Sequence, residues 1–264
     1  MPDGAPARPF VTGRWSDLLL VTYRVPGDLV RRRLPDGVEL DRWRGEAHVT
    51  LVAMHFGEIR MRGLRVPWLP AFAQLNLRTY ALLDGELGVV FIRQLVPSRL
   101  VSAVARLRYR QPYGTLPITH ARAAGDGAVT AEYMLDQPPR GCLIATGSER
   151  TTVPPAESFE HWCKERFWGF GPARRGGGGG GGGVMRFRVD HPTWAVREVR
   201  RWQLLLDFGA FFGPEWRPLN DLKPVSVVFA VGSKVDVYEP EAGAGDAKAL
   251  IDAKTLKGAK TLRR

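Results

Sequence analysis

The chain of 264 residues reads as an all-β or α+β domain rich in strands. Three observations carry that expectation. Phe72-Ala-Gln-Leu-Asn-Leu-Arg-Thr-Tyr80 alternates side-chain character at the period of a strand. Asp84-Gly85 and Gly125-Asp126-Gly127 lie between apolar runs as hairpin signals, which join antiparallel neighbours. Helical stretches are few and short, and the apolar fraction of 44% is ample for a sizeable core.

The stretch 72–80 organises the rest. Ala73, Leu75, Leu77, Thr79 and Ala81 share one face, which suits a core. Gln74, Asn76 and Arg78 share the other, bracketed by Phe72 and Tyr80. Two readings fit: a half-buried strand with its polar face in water, or a polar stripe lining a cavity.

In chain order, residues 1–12 are expected to be disordered and Leu18–Val25 to form a buried strand. Pro26-Gly27-Asp28 opens a short helix through Arg33, stopped by Leu34-Pro35-Asp36-Gly37. Val38–Leu40 and Ala47–Phe56 read as strands, and Gly57–Pro70 as a basic loop. Leu87–Leu95 is the hairpin partner of the organising strand. Ser98 caps a helix through Arg108, with Leu100, Val101, Val104, Ala105 and Leu107 available for its inner face. Strands follow near Leu116–Ala123 and Val129–Leu135, then an aromatic helix over Ala156–Phe167. The glycine-rich stretch 171–183 reads as a flexible loop. Gly176–Gly183 contains the spacing of a dinucleotide fingerprint, but it neither follows a strand nor opens a helix. Ala195–Leu206, an apolar turn at Phe208–Phe212 and a strand over Val225–Tyr238 complete a single domain spanning 13–240. A basic low-complexity tail, 241–264, follows.

Composition narrows the function classes. Cys142 and Cys163 are too few and too far apart for a disulfide framework, so a reducing compartment is expected. The start Met1-Pro-Asp-Gly-Ala-Pro lacks the basic segment and apolar run of a secretory signal. No stretch approaches the ~20 apolar residues of a membrane span, so the expected protein is cytoplasmic, with no membrane partner. The net charge of +11 invites a nucleic-acid reading. The arginines are scattered, however, and such a composition also arises from genomic base composition. At most, weak non-specific nucleic-acid contact through the tail is expected.

No metal or cofactor is expected. His48, His55, His120, His161 and His191 show no metal-site spacing, and there is neither a Gly-x-Ser-x-Gly elbow nor a Walker loop. His191-Pro192-Thr193-Trp194 leads into a strand as either a structural corner with a packed Trp or part of a site. Gln74 can orient a ligand through hydrogen bonds but cannot act as a proton-transferring base.

Tyr23-Arg24, Leu29-Val30-Arg31 and Leu34-Pro35-Asp36-Gly37-Val38-Glu39-Leu40-Asp41 resemble the opening segment of acetoacetate decarboxylases, and Ala53-Met54-His55 is similar to a tripeptide in the next strand of some of them. Closer still is the resemblance to the uncharacterised bacterial YqjF-like family of the same superfamily. It rests on Asn76-Leu-Arg-Thr-Tyr80, Glu165-Arg166-Phe167, His191-Pro-Thr-Trp194 and Lys234-Val-Asp-Val237, in order over residues 14–239. The resemblance implies an acetoacetate decarboxylase-like fold, a curved, barrel-like antiparallel sheet around a central cavity with a few flanking helices.

The departures bear on function. In the decarboxylases a lysine following a proline forms a Schiff base, and an adjacent lysine depresses its pKa. The corresponding stretch here is Leu116-Pro117-Ile118-Thr119, with Ile118 and Thr119 in place of both lysines. The pocket glutamates correspond to Thr50 and Gln74. The arginine falls near Ser16, with Arg14 close by. Without the amine there is no imine and no electron sink for decarboxylation. Two functions remain: a small-molecule binder for a carboxylate or carbonyl compound, or an enzyme acting on such a compound without an imine. The candidate ligand-binding residues are Gln74, Asn76, Arg78, Tyr80, His191 and Trp194, with Arg78 holding an anion.

Overall fold

The structure, a computed structural model, describes residues 8–67, 69–173 and 183–242. Its elements run β1 (Val11–Val25), α1 (Gly27–Arg31), β2 (Glu39–Leu40), β3 (Ala47–Met61), β4 (Leu64–Arg65), β5 (Phe72–Leu83) and β6 (Glu86–Val96). Then come α2 (Arg99–Tyr109), β7 (Tyr113–Thr115), β8 (Ile118–Gly125), β9 (Ala128–Leu135) and β10 (Gly141–Thr152). The chain continues through α3 (Phe159–Lys164), β11 (Trp168–Pro172), β12 (Val184–Asp190) and β13 (Val196–Leu205). It closes with α4 (Phe208–Phe212), a 3-10 turn (Pro214–Asn220), β14 (Ser226–Val237) and β15 (Glu241–Ala242).

The sheet curls on itself. Strands run in the order β12-β11-β6-β5-β3-β1-β14, and β14 pairs back onto β12 through Val189↔Val237 and Asp190↔Asp236. From β14 the sheet continues through β13, β10 and β9 to β8. Pairing is antiparallel except where β7 and β11 run parallel to β6. The ring therefore has two faces to cover, and its central strands are buried on both. One face carries Leu18, Leu20, Val52, Met54, Tyr80 and Val89 with Cys163 and Trp194. The other carries Leu19, Val21, Leu51, Ala53, Leu75 and Leu77, onto which β9 and β10 fold Val129, Ala131, Tyr133, Leu143 and Ala145. Each large side chain fully withdrawn from water contributes roughly 1.5–3 kcal/mol, so this two-sided packing is the main support of the fold. Phe208, Phe211, Phe212, Trp216 and Leu219 close one end of it.

Several boundaries differ from the sequence reading. β1 begins at Val11, and Phe10 N donates to the Val237 carbonyl at 2.9 Å, so cross-strand pairing orders part of the segment expected to be disordered. β3 runs to Met61 through the first five residues of the expected loop, then turns back at Arg62-Gly63 into β4. The strand β10 had no counterpart in the sequence reading. Ser98 caps α2 as expected, its Oγ accepting from Val101 N at 3.3 Å. Its apolar side chains nevertheless face water, with Leu107 83% exposed and only Ser102 buried. The aromatic helix is shorter than expected, with Ser158 as its cap, because Glu165 and Arg166 leave helical geometry and turn inward. β11 and β12 form a hairpin through Pro172↔Val184. The expected loop between them lies mostly outside the described residues, as do residues 1–7 and 243–264. The tail's first two residues, Glu241 and Ala242, add β15 to the edge at β12.

Candidate functional site

Strand alternation on β5 places Gln74 and Asn76 opposite the core face, as expected, but in the protein interior. Gln74 Nε2 donates to Gln94 Oε1 at 2.8 Å on the neighbouring β6. The Tyr113 phenol bonds with the same two amides, and burial pushes its pKa up to about 12. Past a bulge between Leu77 and Arg78, the strand turns its polar side chains toward α3. Arg78 Nη2 and Tyr80 Oη both donate to the Cys163 carbonyl, at 3.1 and 3.2 Å. Tyr80 Oη is also bonded to Thr50 Oγ1, which meets Thr22 Oγ1 at 2.9 Å. The last carbonyls of a helix lack intrahelical partners, and a cation there also meets the negative end of the helix dipole.

His191 and Trp194 reach the same place from the segment joining β12 to β13. Their rings stack with centroids 4.0 Å apart, and Trp194 N donates to Glu165 Oε1 at 3.1 Å. His191 Nδ1 lies 3.7 Å from Glu165 Oε2. Glu165 is also paired with Lys164, and both are buried. Arg166, buried as well, pairs with Asp41 Oδ2 at 2.7 Å and lies over the Trp162 ring. The structure thus gathers Arg78, Tyr80, His191 and Trp194 around the end of α3, while Gln74 is engaged with Gln94. Asn76 is buried nearby with its Oδ1 unpartnered. The burial of Lys164 and Glu165 was not legible in the sequence. A buried charge requires a partner, and here the partner is the next residue in the chain; the fold decides that both are buried.

A second constellation lies on the opposite face of β1, β3 and β5. β1 bulges between Ser16 and Leu19, where three residues span two of β3, and Asp17 adopts φ +51°. Bulges re-aim side chains, and here the Asp17 carboxylate turns under β8. The conformation depends on Gly232 opposite Ser16, which has φ +83°, and a Cβ there would run into the Trp15 carbonyl. Tyr133 Oη donates to the Asp17 carbonyl at 2.7 Å. Asp17 Oδ2 lies 3.3 Å from His120 Nε2, and Oδ1 lies 3.3 Å from Arg122 Nε. The His120 ring stacks on His55 with centroids 4.7 Å apart and planes 19° from parallel. His55 Nδ1 meets Ser16 Oγ at 3.4 Å. Burial, and then the neighbouring His120, lower the pKa of His55, while Asp17 opposes them.

Both imidazoles line a cavity of about 460 Å³ together with Phe72, Ser98, Ile118 and Thr119. Two other cavities among the described residues, of about 510 and 690 Å³, have no histidine in their walls. None of the three is lined by Gln74, Asn76, Arg78, Tyr80, His191 or Trp194. Among the described residues no group of three or more His, Cys, Asp or Glu is placed to hold a metal ion, and no helix is long and apolar enough to cross a membrane. The histidine pair comes from strands far apart in the chain, so spacing could not reveal it. The one available signal was that Ile118-Thr119, the stretch singled out by the resemblance, immediately precedes His120.

Comparison with known proteins agrees with this fold. The model of the family DUF2071, described as an uncharacterized conserved protein, matches residues 12–234. The uncharacterized protein YqjF of Bacillus subtilis is 33% identical over 100 residues, which span 38% of this chain and 41% of that relative. Acetoacetate decarboxylase from Legionella pneumophila superposes with a TM-score of 0.60 at 14% identity, covering 92% of each chain. The enduracididine biosynthesis enzyme MppR, solved with pyruvate, gives 0.60 at 14% identity, covering 91% of this chain and 93% of MppR. An acetoacetate decarboxylase-like enzyme from Sphingomonas wittichii gives 0.57 at 13% identity over 92% and 98%. At such identities the likeness speaks for the fold, and the fold is acetoacetate decarboxylase-like.

Proposed function

The chain belongs to this uncharacterised conserved family, and we propose that it binds a small carboxylate or carbonyl compound in the cavity between β3, β5 and β8, without forming an imine. One observation carries the reading. The cavity wall includes Ile118 and Thr119, which the resemblance matches to both lysines, beside His55 and His120, and no lysine lines it. Its volume of about 460 Å³ suits a small organic ligand. The wall also includes Pro97, Ser98 and Leu100 at the start of α2, whose first turn contains no acidic residue. Free amides and the helix dipole at that end favour a carboxylate. A 2-oxo acid of the size of pyruvate, which MppR binds, combines the two functional groups.

The test is a pyruvate titration followed by NMR, run beside the variant Ile118→Trp, which fills the cavity. Saturable binding with a Kd on the order of 1 mM, equivalent to about 4 kcal/mol, is expected for the wild type and should be lost in the folded variant. Binding that survives the filled cavity, or no saturable binding to the wild type, overturns the assignment.

A further inference from the structure

The His55–His120 stack points to more than recognition. Resting on the ligand reading above, we propose that the cavity is an acid–base site that exchanges a proton at the carbon next to the carbonyl of a 2-oxo acid, with His120 as the base and His55 as the donor to the developing enolate oxygen.

The geometry assigns the roles. His120 Nε2 lies 3.3 Å from the Asp17 carboxylate without a formed hydrogen bond, and a proton placed on that nitrogen would meet the carboxylate and leave Nδ1 the free electron pair. A carboxylate in this position orients an imidazole and stabilises the imidazolium formed when it takes a proton. His55 meets Ser16 Oγ through Nδ1 at 3.4 Å. If that hydroxyl donates, the His55 proton sits on Nε2. The two rings belong to the same cavity wall, with their centroids 4.7 Å apart.

The step balances without any co-reactant. The C–H bond breaks and its proton goes to His120 Nδ1. Its electron pair becomes the new C=C bond, and the carbonyl π pair moves onto oxygen, where the His55 N–H holds it by a hydrogen bond. Reversal returns a proton to the same carbon. In D2O that proton is a deuteron, so turnover is visible as isotope exchange without net conversion. Asp17 does not touch the ligand and is a positioning residue. The other groups facing the stack are Arg122 on β8, Tyr133 on β9, Ser16 on β1 and, beyond Asp17, Arg197 on β13.

The experiment follows the methyl signal of pyruvate by proton NMR in D2O with the full chain, beside the same concentration of free imidazole. Exchange is expected about 100-fold or more above that control, the lower end for a positioned acid–base group. His120→Gln should reduce it to the control rate while pyruvate still saturates the site. Asp17→Asn, whose side chain tolerates the positive φ, should lower the exchange rate while pyruvate still saturates the site, because the His120 ring loses the carboxylate that orients it. That split between rate and binding would not follow from a merely structural role. Saturable pyruvate binding with exchange at the control rate overturns this proposal and leaves the binding reading standing. So does exchange that is unchanged in a folded His120→Gln variant. Absence of saturable binding overturns both.

Discussion

Asp17 and His120 meet at 3.3 Å although one lies on the first strand and the other on the eighth. The contact exists because a one-residue bulge turns the carboxylate out of the ordinary alternation of β1 and toward the strand that folds over it. It sets a carboxylate behind His120, which itself lines the cavity with His55.

The amine chemistry of the decarboxylases should be absent and restorable. Borohydride treatment with acetoacetate should trap no adduct on the wild type, because the cavity wall offers no lysine. Ile118→Lys should yield a trapped adduct at residue 118, at a stability cost on the order of 3 kcal/mol for an unpaired buried charge. Intact mass and peptide mapping decide it. A wild-type adduct on Lys164, Lys223 or Lys234 would contradict the prediction.

Lys164 and Glu165 should behave as a unit. Removing one partner of a buried ion pair leaves the other uncompensated, which costs about 3–5 kcal/mol. Lys164→Met alone should therefore destabilise strongly, and Lys164→Met with Glu165→Gln should recover much of the loss. Urea unfolding of the two single variants and the double variant measures the coupling. Additive losses would show that the pair does not act together.

Stability should fall in mild acid. Burial lowers the pKa of His48, His55 and His191. For a base depressed in the folded state, the unfolded chain takes up protons first. Full stability is thus present above the ordinary histidine value of about 6.5 and is lost as pH falls from there through the folded values. The melting temperature should decrease between pH 8 and pH 5.5, and replacing His191 by Gln should flatten the decrease. A melting temperature that rises over that interval would reverse the assigned sign.

Any nucleic-acid affinity should reside in the tail. Lys248, Lys254, Lys257, Lys260, Arg263 and Arg264 could neutralise only a few phosphates. The logarithmic salt slope on duplex DNA should then be about −3 to −5, without sequence preference. Truncation after Ala242 keeps β15 and should abolish most of this binding, whereas Arg78→Ala should not change it. Tight, sequence-selective binding by the truncated chain would instead mean that the scattered arginines form a recognition face.

Contiguous residues were enough to determine the alternation of β5, the Ser98 cap, the hairpin turns and the resemblance that implied the fold. Each is written within a few neighbouring positions, because strand periodicity, capping and turn chemistry are local. Tertiary structure decided the rest. It exposed the apolar side chains of α2, buried Lys164 with Glu165, drew Arg78 and Tyr80 onto the Cys163 carbonyl, and stacked His55 on His120. These outcomes depend on which sheet face meets which, and on a bulge at Asp17 that Gly232 accommodates from another strand. A side chain's charge, partner and access to a ligand are set by atoms contributed from distant segments, and no window of sequence contains them.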